Sequence, residues 1–326
     1  MTFPSISVIV EWDTGAECGG GRARRCVEEL SRQFWAARER FVEPPELIVV
    51  HDSADPPAEA IAGLGWPGRL ETIPAPTGVD YYSKKNLGFA HSRGAVVAFV
   101  DSDLAPELGW LEAIVAPFDD VTKNVVVGRT HFELTSHYAR AMALFWIFDT
   151  RIAETLLRPT RRLVSNNIAF RRPLFAAMPF PTRNIYRGQC SELGAALAQR
   201  LITLWEATDA RAAHPAPAGL AAFAARAIQS GRGAFRYRAI EGSVGYRDAW
   251  DEWRRDRGSV RRRIAERSEQ IGATPFDRLA AHVLGSIFYG IKCAAFMTAL
   301  TAATWTKPAP RHTGTRWQQE SNAQPR

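Results

Sequence analysis

The chain has 326 residues, 46% of them apolar, and a net charge of +7 from 41 basic and 34 acidic side chains. This composition excludes a disordered protein, and the length can bury a full core in one large domain or a domain with an appendage. The arginine excess suits an anionic ligand, a membrane surface or nucleic acid, without choosing among them.

Ile6-Ser7-Val8-Ile9-Val10 reads as a first strand that ends in Glu11-Trp12-Asp13. After the Cys18-Gly19-Gly20-Gly21 turn, Val27, Leu30, Phe34, Ala37 and Phe41 recur at helical spacing and mark one buried face. No Gly-Lys-Ser/Thr follows the glycines, so they are a turn and not a phosphate loop. Pro44-Pro45 stops the helix, and Glu46 to Val50 forms a second strand ending in His51-Asp52-Ser53. Strand, helix, strand at this length is a right-handed βαβ unit. Leu70 to Pro74 is a short third strand, and Lys84 to Ala90 opens a helix leading to Gly94.

The run Val96-Val97-Ala98-Phe99-Val100 then passes directly into Asp101-Ser102-Asp103. A β-branched apolar run of this kind is a strand buried on both faces of a parallel sheet, and its polar end lies at the rim where open α/β sheets bind ligands. Carboxylates one residue apart on extended chain point the same way, and such a pair suits Mg²⁺ or Mn²⁺ holding a diphosphate. The competing reading makes Asp101 and Asp103 caps for the helix that starts near Pro106 to Leu111.

Val8-Ile9-Val10, Val49 to Ser53, Lys85-Asn86-Leu87-Gly88 and Arg93-Gly94-Ala95 ahead of Phe99 to Asp103 together resemble the nucleotide-binding half of a family 2 glycosyltransferase, over roughly residues 5 to 215. The resemblance implies a GT-A-like, mostly parallel α/β sheet flanked by helices and a nucleotide-sugar donor, a UDP-sugar being expected, with Mn²⁺ or Mg²⁺ as cofactor. It places Asp52 near the base, Asp101 near the ribose and Asp103 on the metal. Glu11 and Asp13, at the end of the first strand, join Asp52 and Asp101 as candidate nucleotide-sugar contacts. Lys85 is a candidate for phosphate, although paired lysines at a helix start also occur as solvated charges. For Asp52 an Asx turn is the alternative.

Downstream, Trp110, Leu111, Ile114, Val115 and Phe118 form an amphipathic helix, Val125 to Gly128 a strand, and Tyr138 to Leu157 a buried helix pair. Arg158-Pro159-Thr160-Arg161-Arg162 precedes Ser165-Asn166-Asn167-Ile168-Ala169-Phe170-Arg171. In the resembled family such a segment closes over the donor, which makes Asn167 and Arg171 candidate donor contacts. The arginines can hold diphosphate through planar donors or form a basic surface loop.

The family's usual Gly-Glu-Asp-x-Asp/Glu-Leu segment, which supplies the general base, is here Gly188-Gln189-Cys190-Ser191-Glu192-Leu193. Gln189 and Cys190 cannot act as carboxylates, so Glu192 is the candidate base, the alternative being a favourable charge at a helix start. His214 lies where some related enzymes place a further metal ligand, although a lone histidine also serves structure.

From Ala216 the composition turns to alanine and arginine. A basic helical stretch covers Trp250 to Ile264, and the nearly uncharged Leu279 to Trp305 is long enough for the ~30 Å hydrocarbon layer. Lys292 near its middle would cost about 2.5–3.5 kcal/mol in a spanning helix. His282, Ser286, Tyr289 and Lys292 make a polar stripe that suits a helix in the membrane interface or packed on the domain. Flanking arginines, Lys307, Arg311 and Arg316 favour anionic lipid. The boundaries read as 1–215 catalytic, 216–306 helical and 307–326 a disordered tail.

Cys18, Cys26, Cys190 and Cys293 show no CxxC and no histidine at ligand spacing, which speaks for reduced thiols and against a zinc site. The start of the chain lacks the features of a signal peptide, so a cytoplasmic location, peripheral at the inner face of the membrane, is expected. The functional expectation is a metal-dependent inverting transferase acting on an unidentified acceptor hydroxyl. The rival is a non-catalytic nucleotide-sugar binding protein. A nucleotidyltransferase would need a glycine-rich basic loop after the first strand, and nucleic-acid binding lacks a recognised module.

Overall fold

The structure, a computed structural model, describes residues 2–12, 20–52, 57, 61–182, 188–242 and 244–306. Asp13, the turn at Cys18 and the segment from Lys307 onward lie outside the described residues.

Four parallel strands form one half of the sheet: β1 (Ile6–Glu11), β2 (Glu46–Asp52), β3 (Arg69–Ala75) and β4 (Val96–Asp101), in the spatial order β3-β2-β1-β4. The chain runs outward from β1 to β3 and then returns to the other side of β1, so the β1/β4 boundary is the topological switch point. In open α/β sheets ligands bind at such a point, outside the carboxyl ends of the strands. Helix α1 (Gly20–Ala37) covers one face, and α2 (Tyr81–His91) the other. Gly88 lets α2 lie close to the sheet, because a Cβ there would stand 2.5 Å from Ile9 Cγ2 and 3.0 Å from Val50 Cγ2.

Beyond β4 the sheet becomes mixed. After β5 (Ala105–Pro106) and α3 (Trp110–Val115) come β6 (Val125–Phe132), α4 (His137–Phe145), β7 (Leu157–Thr160), β8 (Asn167–Arg171), α5 (Arg172–Ala177), α6 (Gln189–Gln199) and β9 (Leu204–His214). β8 lies antiparallel between β4 and β6, β9 runs parallel to β6, and β5 and β7 pair antiparallel with β9. The register of β6 and β9 jumps at Gly128/Arg129, where the partners change from Ala207 to Arg211. Gly128 is required here, since a Cβ would meet the Asn167 amide at 2.3 Å.

Three sequence expectations change. Tyr138 to Leu157 yields one helix, α4, and then extended chain, because the segment from Trp146 tucks its aromatics under the sheet rim and does not continue the helix. Asp101 and Asp103 cap nothing: the chain runs on into β5, and the N-cap of α3 is Gly109. Lys84 and Lys85 are both buried rather than solvated.

The last helices, α7 (Gly219–Glu241), α8 (Tyr246–Gln270) and α9 (Pro275–Thr306), pack with α4 around Phe145, Trp146, Phe223, Val260, Ile264 and Phe288. Lys292 of α9 reaches Asp256 at 2.7 Å and Glu252 at 2.8 Å, which compensates its charge inside the helical layer. Tyr289 and Lys292 therefore face inward, while His282 and Ser286 stay exposed. The polar stripe is divided between two faces.

Candidate active site

The carboxyl ends of β1 and β4 bring Glu11 and Asp101 side by side as register partners. Both are buried, and Asp52 ends the neighbouring strand β2 at the same rim. Asp101 Oδ1 accepts from Lys85 Nζ at 2.8 Å and from the Tyr81 hydroxyl at 2.6 Å. Tyr81 and Lys85 stand one turn apart on α2, where the i, i+4 spacing puts both on one helix face. Burial and the Asp101 and Glu11 charges push the Tyr81 hydroxyl well above its ordinary value, so it remains a donor. Lys85 is fully buried, and its charge serves Asp101 rather than an open phosphate site. This replaces the role expected for it.

Asp103 lies two residues on, almost fully buried, with Oδ2 3.0 Å from His214 Nε2. His214 ends β9, so this contact joins the two halves of the sheet. His214 Nδ1 is 2.5 Å from the Pro215 carbonyl and can only donate to it. Nε2 can then donate to Asp103 only as imidazolium; as neutral imidazole it presents a lone pair, the arrangement of a metal-ligating histidine. Asp103 Oδ1 has no partner among the described residues. Burial raises the Asp103 carboxyl, but the His214 contact and the charges of Arg226 and Arg22 outweigh this and hold it below the usual range.

An ionised carboxylate with a buried orphan oxygen beside an imidazole nitrogen fits a divalent cation of the Mn²⁺ type. Among the described residues no group of three His, Cys, Asp or Glu side chains gathers to hold a metal.

Two more expectations are corrected. Asn167 pairs with Val100 and is fully buried, accepting from Trp110 Nε1 at 2.9 Å and donating to the Ala210 carbonyl at 3.0 Å. It is a core amide tying β8 to β9. Arg171 pairs with Val96, at the opposite end of β4 from Asp101, and donates to the carbonyls of Lys123, Phe118 and Asp120. A donor bound at the carboxyl rim is out of its reach.

Cys190 Sγ lies 3.1 Å from the Tyr82 hydroxyl. Burial pushes its thiol up, so it stays neutral where the resembled family has an acid. Glu192 sits in the first turn of α6, half-buried, about 200° around the helix from Cys190.

Sequence reasoning missed Tyr81 and Arg22. Tyr81 was legible from its i, i+4 relation to Lys85. Arg22 has no local signal: it donates to the Asp103 carbonyl at 2.9 Å, the Ala213 carbonyl at 3.1 Å and Glu133 at 2.9 Å, clamping the loop after β4 onto the end of β9.

Sheet order and the switch point give the chain a GT-A-like fold, and residues 20–178 match the family model glycosyl transferase family 2. Over that segment, just under half of its length, the chain is similar to family 2 glycosyltransferases, and its fold is similar to that of solved GT-A structures. A pre-mycofactocin glycosyltransferase of Mycobacterium tuberculosis is 34% identical over 83 residues, 26% of this chain and 18% of the relative. Glycosyltransferase AglE of Haloferax volcanii is 26% identical over 132 residues, 40% of this chain and 41% of the relative. The matches thus span less than half the length of these curated relatives. Mannosyltransferase PcManGT of Pyrobaculum calidifontis, solved with GDP-Man and Mn²⁺, has a TM-score of 0.59 at 16% identity, covering 92% of this chain and 88% of that one. GalNAc-T7 with UDP, GalNAc and Mn²⁺ has 0.50 at 14% identity, covering 66% and 44%.

Proposed function

We propose that the chain is a metal-dependent inverting glycosyltransferase that moves a sugar from a nucleotide-sugar donor, a UDP-sugar on our reading, to an acceptor hydroxyl. The observation that carries this is the ionised Asp103 at the switch-point rim, with one oxygen on His214 and the other unpartnered. Asp103 and His214 would hold Mn²⁺ or Mg²⁺, which when bound supplies Lewis-acid neutralisation of the leaving diphosphate. Glu11, Asp52 and Asp101 line the crevice for the base and ribose, with Lys85 and Tyr81 holding Asp101 in place. Asp13, two residues after Glu11 in the sequence and outside the described residues, is proposed as a further donor contact.

The acceptor oxygen attacks the anomeric carbon, the bond to the diphosphate oxygen breaks, and the acceptor proton passes to Glu192. Support for Glu192 is chemical: Gln189 cannot accept a proton at neutral pH, and the half-buried Cys190 thiol is pushed up and stays neutral. We place the enzyme in the cytoplasm at the inner face of the membrane, with α9 against anionic lipid. One candidate span, Pro275–Thr304, has a mean hydropathy of 1.6, which is weak support by itself.

Metal-dependent nucleotide release from UDP-, GDP- and dTDP-sugars tests the reading. Asp103→Asn is expected to abolish release, and chelation of the metal to do the same. Glu192→Gln should lower kcat for transfer by about 10²-fold or more with donor affinity unchanged. The substitutions Gln189 and Cys190 favour one second reading, a nucleotide-sugar binding protein without turnover. Metal-dependent donor binding with no release under any acceptor would establish it.

A further inference from the structure

The register jump of β6 and β9 opens a cavity of about 170 Å³ on the far half of the sheet from β1. Its charged lining is Arg129, Arg158, Arg162, Asp149 and Glu206. Arg129, only 5% exposed, gives Nη2 to Glu206 at 2.6 Å and Nη1 to the Thr150 carbonyl at 3.2 Å, while its Nε has no partner among the described residues. Arg158 Nε meets Glu206 at 2.8 Å, and Arg162 meets Asp149 and the Ile147 carbonyl. Three guanidiniums thus share two carboxylates, which leaves the charged lining with a net charge of +1.

More positive charge stands behind this wall. Arg267 of α8 is 3.8 Å from the same Asp149, and burial and the repulsion of Arg263 and Arg162 push its guanidinium down to about 10. Burial likewise lowers Arg162, with Arg263 and Arg129 adding to the effect. The cavity is reachable from solvent, since the Arg158 side chain is 50% exposed and that of Arg162 36%.

Its position is the second observation. The Asp101 N–H donates to the Asn166 carbonyl at 3.1 Å, and Thr130, which lines the cavity, reaches Asn166 Oδ1 at 3.3 Å. In the order β4-β8-β6 the cavity lies two strands from Asp101, about 10 Å across the rim. That is beside the rim where the proposed donor site lies.

We infer that this cavity binds a phosphate group carried by the acceptor, so that the acceptor hydroxyl belongs to a phosphate-bearing molecule. The inference rests on the transferase reading above. Phosphate suits the cavity better than carboxylate, because guanidiniums from β6, β7 and the loop after β7 converge from several directions. A tetrahedral group can offer them separate oxygens, which a planar two-oxygen carboxylate cannot.

Calorimetric titration of inorganic phosphate into the full chain tests the cavity directly. One saturable site is expected, weakened about tenfold in Arg158→Gln and in Arg162→Gln and unchanged in Arg38→Gln, an exposed arginine remote from the cavity. Arg158→Gln is the variant least exposed to folding failure, and circular dichroism checks it. No saturable binding, or an equal loss in Arg38→Gln, overturns the inference.

Transfer is then compared for a sugar phosphate in solution, for vesicles carrying a saccharide linked to lipid through phosphate, and for neutral saccharides. Transfer to either phosphate-bearing acceptor, reduced by Arg158→Gln, supports the inference and identifies the source. Transfer to neutral saccharides alone overturns it. Nucleotide release without acceptor is followed in parallel. Release without phosphate binding removes the anion site and leaves the transferase standing; phosphate binding without any release removes the acceptor role together with the transferase.

Discussion

Lys85 shows how one buried charge supports the donor crevice. Its ammonium is fully enclosed, 2.8 Å from Asp101, and stacked 4.6 Å from the Tyr81 ring centroid. Its ion pair is a weak argument for net stability, but removing one member leaves the other charged and desolvated. Lys85→Met is therefore expected to destabilise the fold by about 3 kcal/mol in urea unfolding and also to weaken donor binding. A lysine that contacted phosphate directly would lose donor affinity with little change in stability. Asp103 behaves differently. Its compensation by His214, Arg22 and Arg226 keeps it ionised without occupying Oδ1.

At the scale of elements, Glu107 is the tie between the loop before α3 and the two longest strands. Its carboxylate meets His131 of β6 at 2.9 Å, Arg211 of β9 at 3.1 Å and Arg151 at 2.9 Å. The His131 hydrogen bond is the largest cause, and those of Arg151 and Arg211 add to it, holding the carboxyl well below the usual range against a burial cost. Its folded pKa is depressed, so the stabilisation is fully present above the unfolded value near 4.5 and fades as pH falls below it. Urea midpoints of the native chain and Glu107→Gln should differ at pH 6 and converge toward pH 3, the side chain being 23% exposed and the effect accordingly modest. A constant difference would show that the carboxylate acts by shape alone.

At the scale of the whole molecule, α9 has two faces of unlike character. Ala281, Phe288, Tyr289, Phe296 and Leu300 are buried, with Phe288 and Tyr289 in the layer formed with α4, α7 and α8. Phe276, Leu279, Val283 and Ile287 recur at helical spacing and stand 47–62% exposed. Only 28% of the most apolar stretch of α9 is buried. An apolar stripe beside the arginine-rich α8 is the pattern of a helix lying on an anionic surface. Sedimentation with anionic vesicles is expected to capture the chain, and Val283→Glu with Ile287→Glu to weaken capture about tenfold. Capture unchanged by the pair would mean that the charge of α8 suffices.

The βαβ order, the buried central strand and its two rim aspartates were legible from apolar runs and turn residues. Those signals are local and carry their periodicity with them. The pairing of Asp103 with His214 was proposed from a resemblance and could not be derived, since 111 positions separate the two. Asn167, Arg171 and Lys85 carried the right chemistry for a donor site, and only strand register and burial assigned them to the core, the strand end opposite the rim and the support of Asp101. The arginine cavity depends on a register jump that no sequence periodicity announces. The sequence by itself determined which segments form the sheet and where its polar rim lies, because each is set by neighbours in the chain. The tertiary structure alone decided which charges meet across that rim, because this depends on strand order, register and the space left between them.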